Sequence, residues 1–334
     1  MEDMHTHLIT FVIAYYGRWP DYFHLWARSV ENNPEIQVVI ITDLQPPANL
    51  PANIRLLTQT YEQVMERMEL VIGWPLPRFR FHKLCDYKPL FPLAFPEAVE
   101  GAKYTGYCDL DLYFGDLNPL LTLAAEGDAD IISPFSHVVG HCCLVRNDDK
   151  AKKIALQTNR LKERLEEPNI TFIDEGTLHE TAGKIGGFKV HIVDSLEDEW
   201  SKQKCFLGAT VVPGGYISGL NSPCFLVQYT KGKVTVYDAK ARPHEVLYLH
   251  FMGMKQPRFW AGLTPCLYED FTFTPYGIVS HLIPGTEVLT WRFRLKVLLC
   301  QLPSRCYGIA RRLVPRGVLN LVIQFRDFVR GRSR

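Results

Sequence analysis

Two runs, "HLITFVIAYYG" ending at Gly17 and "IQVVIITD" from Ile36 to Asp43, are apolar and largely β-branched from end to end. A strand with one wet face alternates apolar and polar residues, so a run without alternation is buried on both faces. Between them, "PDYFHLWARSVENNP" carries Phe23, Trp26 and Val30 near helical spacing, with Pro34 beyond the end. Strand–helix–strand is the beginning of a parallel sheet covered by helices, which puts the chain in the α/β class. At 334 residues it can hold one large α/β domain or two small ones. A hydrophobic content of 47% and an aromatic content of 12% specify a packed globule.

Further along, "YEQVMERMEL" reads as a short helix and "HKLCDYKPLFPLAF" as a helix broken by Pro89 and Pro92. "YTGYCDLD" and "ADIISPF" read as strands, and "DDKAKKIALQTNRLKERLEE" as one polar helix of about five turns. "FKVHIVDS" and "KVTVYDAKA" read as later strands, with "EVLYLHFMG" the last strand of the body.

Several classes are set aside. Nine cysteines over this length make no disulfide framework, and without a CxxC pair a structural zinc site is not expected. Cys142 and Cys143 read as reduced core residues. "MEDMHTH" lacks the cationic-then-apolar order of a signal peptide, and no apolar run reaches membrane-spanning length, so the cytoplasm is the expected compartment. The net charge of +1 is unevenly placed: Trp291 to Arg334 holds eleven Lys or Arg against Asp327 alone, a net +10, leaving residues 1–290 at −9. A body and an appendage with different partners follow from that split.

The chemistry begins at "GYCDLDLYFGDL". Residues i and i+2 of a strand share a face, so Asp109 and Asp111 would repel each other and cost several kcal/mol if buried unpaired. Something positive is expected between them; the competing reading is a turn with two solvated aspartates. Hard oxygens at the carboxyl edge of an α/β sheet suit Mg²⁺ or Mn²⁺ bridging a nucleoside diphosphate. Far downstream, "LYLHFMGMKQPRFW" offers His250 as a third metal ligand, Gly253 for close backbone approach to a phosphate, and Lys255 as a point charge on it. A partnered structural histidine is the alternative for His250.

These motifs resemble those of GT-A glycosyltransferases. "CDLDLYFGDL" resembles the DxD motif, and "HFMGMKQPRFW" is similar to the HxxGxxKPW motif of the glycogenin-like and lipopolysaccharide galactosyl- and glucosyltransferase group. The departure is Gln256-Pro257-Arg258, where that motif has Pro-Trp after its Lys. The layout also resembles uncharacterised bacterial glycosyltransferase-like proteins of surface-polysaccharide gene sets, over roughly residues 8–260. The resemblance implies a single GT-A, Rossmann-like α/β domain with a mostly parallel central sheet (1–283) and a basic amphipathic, helical, membrane-associating segment (284–334). It implies a metal site of Asp109, Asp111 and His250, with Asp109 also able to meet the ribose. It places Gly253 and Lys255 on the diphosphate and gives Lys255 a catalytic part. Tyr15 and Tyr16 of "AYYG" fall where such enzymes hold the nucleobase, although packing at a strand end explains them equally. Lys83, Asp86 and Lys88 of "RFHKLCDYKPLF" would approach the donor sugar or uridine, against a merely solvated charged face. "VVGHCCLVRN" falls where the sugar floor forms. Asp174 and Glu175 of "TFIDEGTLHE" would serve as base or near the anomeric carbon, or else simply cap the helix "EGTLHETAG".

The implied function is transfer of a hexose, galactose or glucose favoured, from a UDP-sugar to a surface polysaccharide or lipid-linked glycan with Mn²⁺ or Mg²⁺. The enzyme would lie on the inner face of the membrane, its tail on anionic lipid; packing of the tail on the acidic body is the competing reading. Nucleic acid is not an expected partner, because Leu, Val and Ile separate the tail's arginines. The alternatives are a non-catalytic membrane-associated scaffold and a sugar nucleotidyltransferase, the latter weakened by the lack of a Gly-rich phosphate loop.

Overall fold

The computed structural model describes residues 7–134, 137–192, 208–212, 216–217, 226–251, 270–275, 277–279 and 281–297. The central sheet uses strands β1 (Ile9–Ala14), β2 (Ile36–Thr42), β3 (Ile54–Thr58) and β4 (Tyr104–Cys108), then, beyond the short β5 (Leu112–Phe114), β6 (Ile131–Ser133), β7 (Cys142–Arg146) and β8 (Val190–Ile192). Their order is β3-β2-β1-β4-β7-β6-β8, and every neighbouring pair is parallel except the two made by β7. The mixed α/β architecture with a mostly parallel central sheet is therefore as expected.

Both faces of this sheet are buried, which is why its sequence does not alternate. Phe11, Ile13, Val38 and Ile40 pack on one side with Phe23 and Trp26 of α1 (Phe23–Glu31). Val12, Val39 and Ile41 pack on the other with Met65 and Met68 of α2 (Tyr61–Ile72). A capping box between Thr60 and Gln63 starts α2, and Gly73, left-handed at φ 86°, ends it.

Two smaller sheets complete the described fold. After β9 (Gly208–Val212) and β10 (Tyr216–Ile217) come β11 (Leu226–Thr230), β12 (Lys233–Tyr237), β13 (Pro243–Val246), β14 (Tyr248–His250), β15 (Asp270–Thr274) and β16 (Gly277–Val279). One sheet runs β10-β9-β14-β5, the other β13-β12-β11-β15-β16.

Four expectations change. "YTGYCDLD" is not one strand: β4 stops at Cys108 and β5 starts at Leu112, in a different sheet, so Asp109 and Asp111 lie in the link between two sheets. "EVLYLHFMG" likewise divides into β13 and β14, one in each small sheet, and β15 and β16 follow it. The polar helix is broken into Asp149–Lys152, a 3-10 turn Lys153–Gln157, and Leu161–Glu166. Thr158 is extended and Arg160 left-handed at φ 58°, and the break lets Ile154, Ala155, Leu161 and Leu165 all join one core. "HKLCDYKPLFPLAF" is a 3-10 helix, Phe81–Leu90, running into a short α-helix at Phe91–Ala94, so it accommodates Pro89 and Pro92 instead of stopping at them.

At the start of the basic segment, residues 291–297 are helical. Phe293 and Val297 are buried against Leu226 and Val288, whereas Trp291 and Leu295 are exposed. Residues 298–334 lie outside the described residues. Among the described residues no helix is long and apolar enough to cross a membrane.

Candidate functional site

The site forms where the central sheet hands the chain to β5. Gly106, in the middle of β4, lies against β7 so closely that an added Cβ would overlap the Cys143 carbonyl. The ladder ends with the Asp109 amide donating to the His141 carbonyl at 3.0 Å. The next pairing, antiparallel between β5 and β14, sets His250 opposite Leu112 and lets the Phe251 amide donate to the Asp111 carbonyl at 3.0 Å. Two residues distant in sequence become neighbours in this way.

Asp109, Asp111 and His250 each present a ligand atom, and these atoms lie within 4.8 Å of one another. Asp111 and His250 are buried, with His250 Nε2 3.3 Å from Asp111 Oδ2. Two carboxylates and one imidazole form a mixed O/N donor set of the kind that holds a divalent cation.

His141 backs this cluster. Its ring stacks on His250 at 4.2 Å with 23° between planes, and its Nε2 lies 2.9 Å from the Tyr248 hydroxyl. Burial, and then the neighbouring His250, hold His141 well below the ordinary imidazole range, so it is neutral.

The positive charge expected between the aspartates is Lys88, from the end of the 3-10 helix, but it joins Asp109 to Asp174 and not to Asp111. Lys88 Nζ lies 2.7 Å from Asp109 Oδ1, 2.7 Å from the Gly140 carbonyl and 3.2 Å from Asp174 Oδ2. Burial alone lowers an ammonium's pKa; here Asp109 and Asp174 outweigh it and hold Lys88 well above its usual value. Asp174 is buried and its carboxyl is pushed up to about 7. Burial is the main cause, opposed by Lys88 and reinforced by Asp109 and Glu175. Gly140 permits the approach, since a Cβ there would overlap the Asp174 carboxylate. The Tyr107 hydroxyl donates to the Asp174 carbonyl at 2.7 Å.

The helix-cap alternative for Asp174 and Glu175 fails. The helix Leu178–Ile185 begins after Thr177 with no side-chain cap, and Glu175 has a non-helical backbone.

Lys83 and Asp86 do not join this group. Lys83 Nζ bonds Asp86 Oδ2 at 2.7 Å and the carbonyls of Arg164 and Asn169 at 2.8 Å each, one acceptor for each ammonium hydrogen. Asp86 accepts in addition from the Thr171 and Ile173 amides. The pair is buried and turned inward, so the expected place beside a donor sugar is corrected to an internal tie on the 164–173 segment. The solvated-face alternative fails for the same reason.

Tyr16 is buried, with its hydroxyl on the Gln59 carbonyl and its ring against Tyr61 and Phe81. Tyr15 is half-buried and stacks on Trp19 at 5.7 Å. Gly253 and Lys255 lie outside the described residues. Sequence reasoning gave Tyr107 and Tyr248 no role and placed Gly140 and His141 only within "VVGHCCLVRN", a stretch expected at the sugar floor; the ladder and the ring contacts show what they touch.

Two solved glycosyltransferases show remote structural similarity. The galactosyltransferase LgtC, solved with donor and acceptor sugar analogs, is 15% identical over 56% of this chain and 73% of that one, at a TM-score of 0.37. The glycosyltransferase GlyE of Streptococcus pneumoniae TIGR4 is 15% identical over 58% and 46%, at 0.28. No curated protein matches the sequence. Residues 11–278 match a family of unknown function, DUF6625, and the chain belongs to that family.

Proposed function

We propose that the protein is a metal-dependent glycosyltransferase that moves a hexose, galactose or glucose, from a UDP-sugar to a surface polysaccharide or lipid-linked glycan. The observation that carries this reading is the convergence of Asp109, Asp111 and His250 with the Lys88–Asp174 pair at the link between two sheets. That link follows β4, the neighbour of β1 at the point where the strand order reverses, and open α/β sheets bind ligands at such a point.

Asp111, His250 and Asp109 would hold the divalent ion, which would supply positive charge to stabilise a departing diphosphate. Lys88 fixes the Asp109 carboxylate from behind and keeps Asp174 close to it. With its pKa at about 7, the Asp174 carboxyl can take up or hold a proton at neutral pH beside the reacting sugar, and Glu175 is its neighbour there. His141 orients the His250 ring by stacking. Tyr15 meets the base, and Gly253 and Lys255 meet the diphosphate. The basic tail holds the enzyme on the anionic inner face of the membrane.

Calorimetry of UDP, UDP-galactose and UDP-glucose with and without Mn²⁺ tests this reading. Mn²⁺-dependent binding, with slow donor hydrolysis, is expected. Binding without hydrolysis would make the protein a non-catalytic scaffold, and no Mn²⁺-dependent binding would remove the transferase reading altogether.

A further inference from the structure

Phe172 stands two residues before Asp174 and is out of character for its position. Its backbone is left-handed, φ 56° and ψ 42°, a region in which a bulky side chain is an outlier. Its ring is 56% exposed, while Ile173 beside it is 0% exposed and Asp174 is 3% exposed. Such strain persists only where the surroundings impose it, and it concentrates at functional sites.

The surroundings here are explicit. Asp86, fully buried, accepts the amide of Thr171 at 2.9 Å and that of Ile173 at 3.1 Å, one on each side of Phe172. Lys83 anchors Asp86 and also holds the carbonyls of Arg164 and Asn169. The Phe172 carbonyl accepts from the Glu175 and Thr177 amides, both at 3.3 Å. A buried ion pair thus clamps the chain on both sides of one residue, whose side chain stays exposed two residues before the buried Asp174.

We propose that the Phe172 ring is a stacking platform for the hexopyranose of the acceptor. This rests on the transferase reading and assigns a residue to its second substrate. A pyranose presents a face of C–H groups, which an aromatic ring covers without needing hydrogen-bond register. The metal ligands Asp111 and His250 are buried, and Asp174, tied through Lys88 to Asp109, joins that cluster to the segment that carries the exposed Phe172. Lone exposed apolar residues are common on protein surfaces and need no function; the clamp on both flanking amides is what sets this one apart.

Saturation-transfer NMR with methyl β-D-galactopyranoside and methyl β-D-glucopyranoside, in the presence of UDP and Mn²⁺, tests the platform on the full chain. Phe172→Gly removes the ring while keeping a residue that adopts a left-handed backbone freely, so the fold is retained. Phe172→Tyr restores a ring. Glycoside affinity should fall about tenfold in Phe172→Gly and return in Phe172→Tyr, with UDP–Mn²⁺ affinity unchanged in both. Equal glycoside signals in Phe172→Gly and the natural protein would overturn the platform, as would a loss confined to UDP-hexose, which would move the ring to the donor. If the natural protein binds no UDP with Mn²⁺, the transferase reading itself falls, and that result is separate from either outcome at Phe172.

Discussion

Lys83 and Lys88 stand on one 3-10 helix, and each meets a carboxylate at 2.7 Å, yet their surroundings differ. Around Lys83 every valence is closed: three acceptors for the ammonium, and backbone amides on the Asp86 carboxylate. Lys88 likewise has three acceptors, the Asp109 and Asp174 carboxylates and the Gly140 carbonyl, so what differs is the carboxylates. Its two carboxylates belong to different segments, one of them a member of the cluster of metal-ligand character, the other perturbed to about 7. A closed ion pair holds a shape, whereas an incompletely neutralised acidic cluster has capacity for a ligand. Counting the donors on each carboxylate, and not the acceptors around each ammonium, separates the two where residue type and spacing do not.

The largest expected effect breaks the open region. Asp111→Ala should abolish Mn²⁺-dependent UDP binding in calorimetry while the circular dichroism spectrum stays as in the parent. Retained affinity with Mn²⁺ would remove Asp111 from the metal site.

The closed region should respond in stability. Leaving one partner of a buried pair uncompensated costs about 3–5 kcal/mol, so Lys83→Met should lower the unfolding free energy by that order in a denaturant titration. Lys88→Met should cost less, because Asp174 can stay protonated. Equal losses would erase the distinction between the two lysines.

The pH dependence sharpens it further. The folded-state pKa of Asp174, about 7, lies above its ordinary value of 3.8. The folded state therefore holds the proton more tightly, and this group's contribution to stability falls as pH rises from about 4 to about 7, then levels off. Asp174→Asn should flatten that slope, whose total is on the order of a few kcal/mol. The groups facing Asp174 are Lys88, Asp109 and Glu175. Removing the Lys88 charge should move the acid limb of the donor-hydrolysis profile to higher pH. A profile indifferent to that change would exclude Asp174 as the titrating group.

The smallest effect concerns the tail. Ending the chain at Val297 should release it from anionic vesicles in co-sedimentation without changing Tm. Ending it at Thr290 also removes Phe293 and Val297, whose burial against Leu226 and Val288 contributes about 3 kcal/mol. A chain ending at Val297 that still pellets with anionic vesicles would show that residues 298–334 are not the anchor.

Much of this was legible in the sequence. The unbroken apolar runs of β1 and β2 announce a sheet buried on both faces, because burial is recorded residue by residue. Asp109, Asp111 and His250 could be named from chemistry at strand ends. β3 was missed because "IRLLT" is short and its burial irregular. The polar stretch at 149–166 misled because charged residues continue across a backbone break, and local propensity does not show where a chain must turn to reach a core.

What only the tertiary structure decided is who meets whom. The β5–β14 pairing brings Asp111 to His250, Lys88 reaches both Asp109 and Asp174, and Asp86 clamps the amides around Phe172. Periodicity carries information over one or two turns or a few strand residues. An ion pair between distant segments leaves no such trace, since its energy depends on the distance and solvation that folding alone creates.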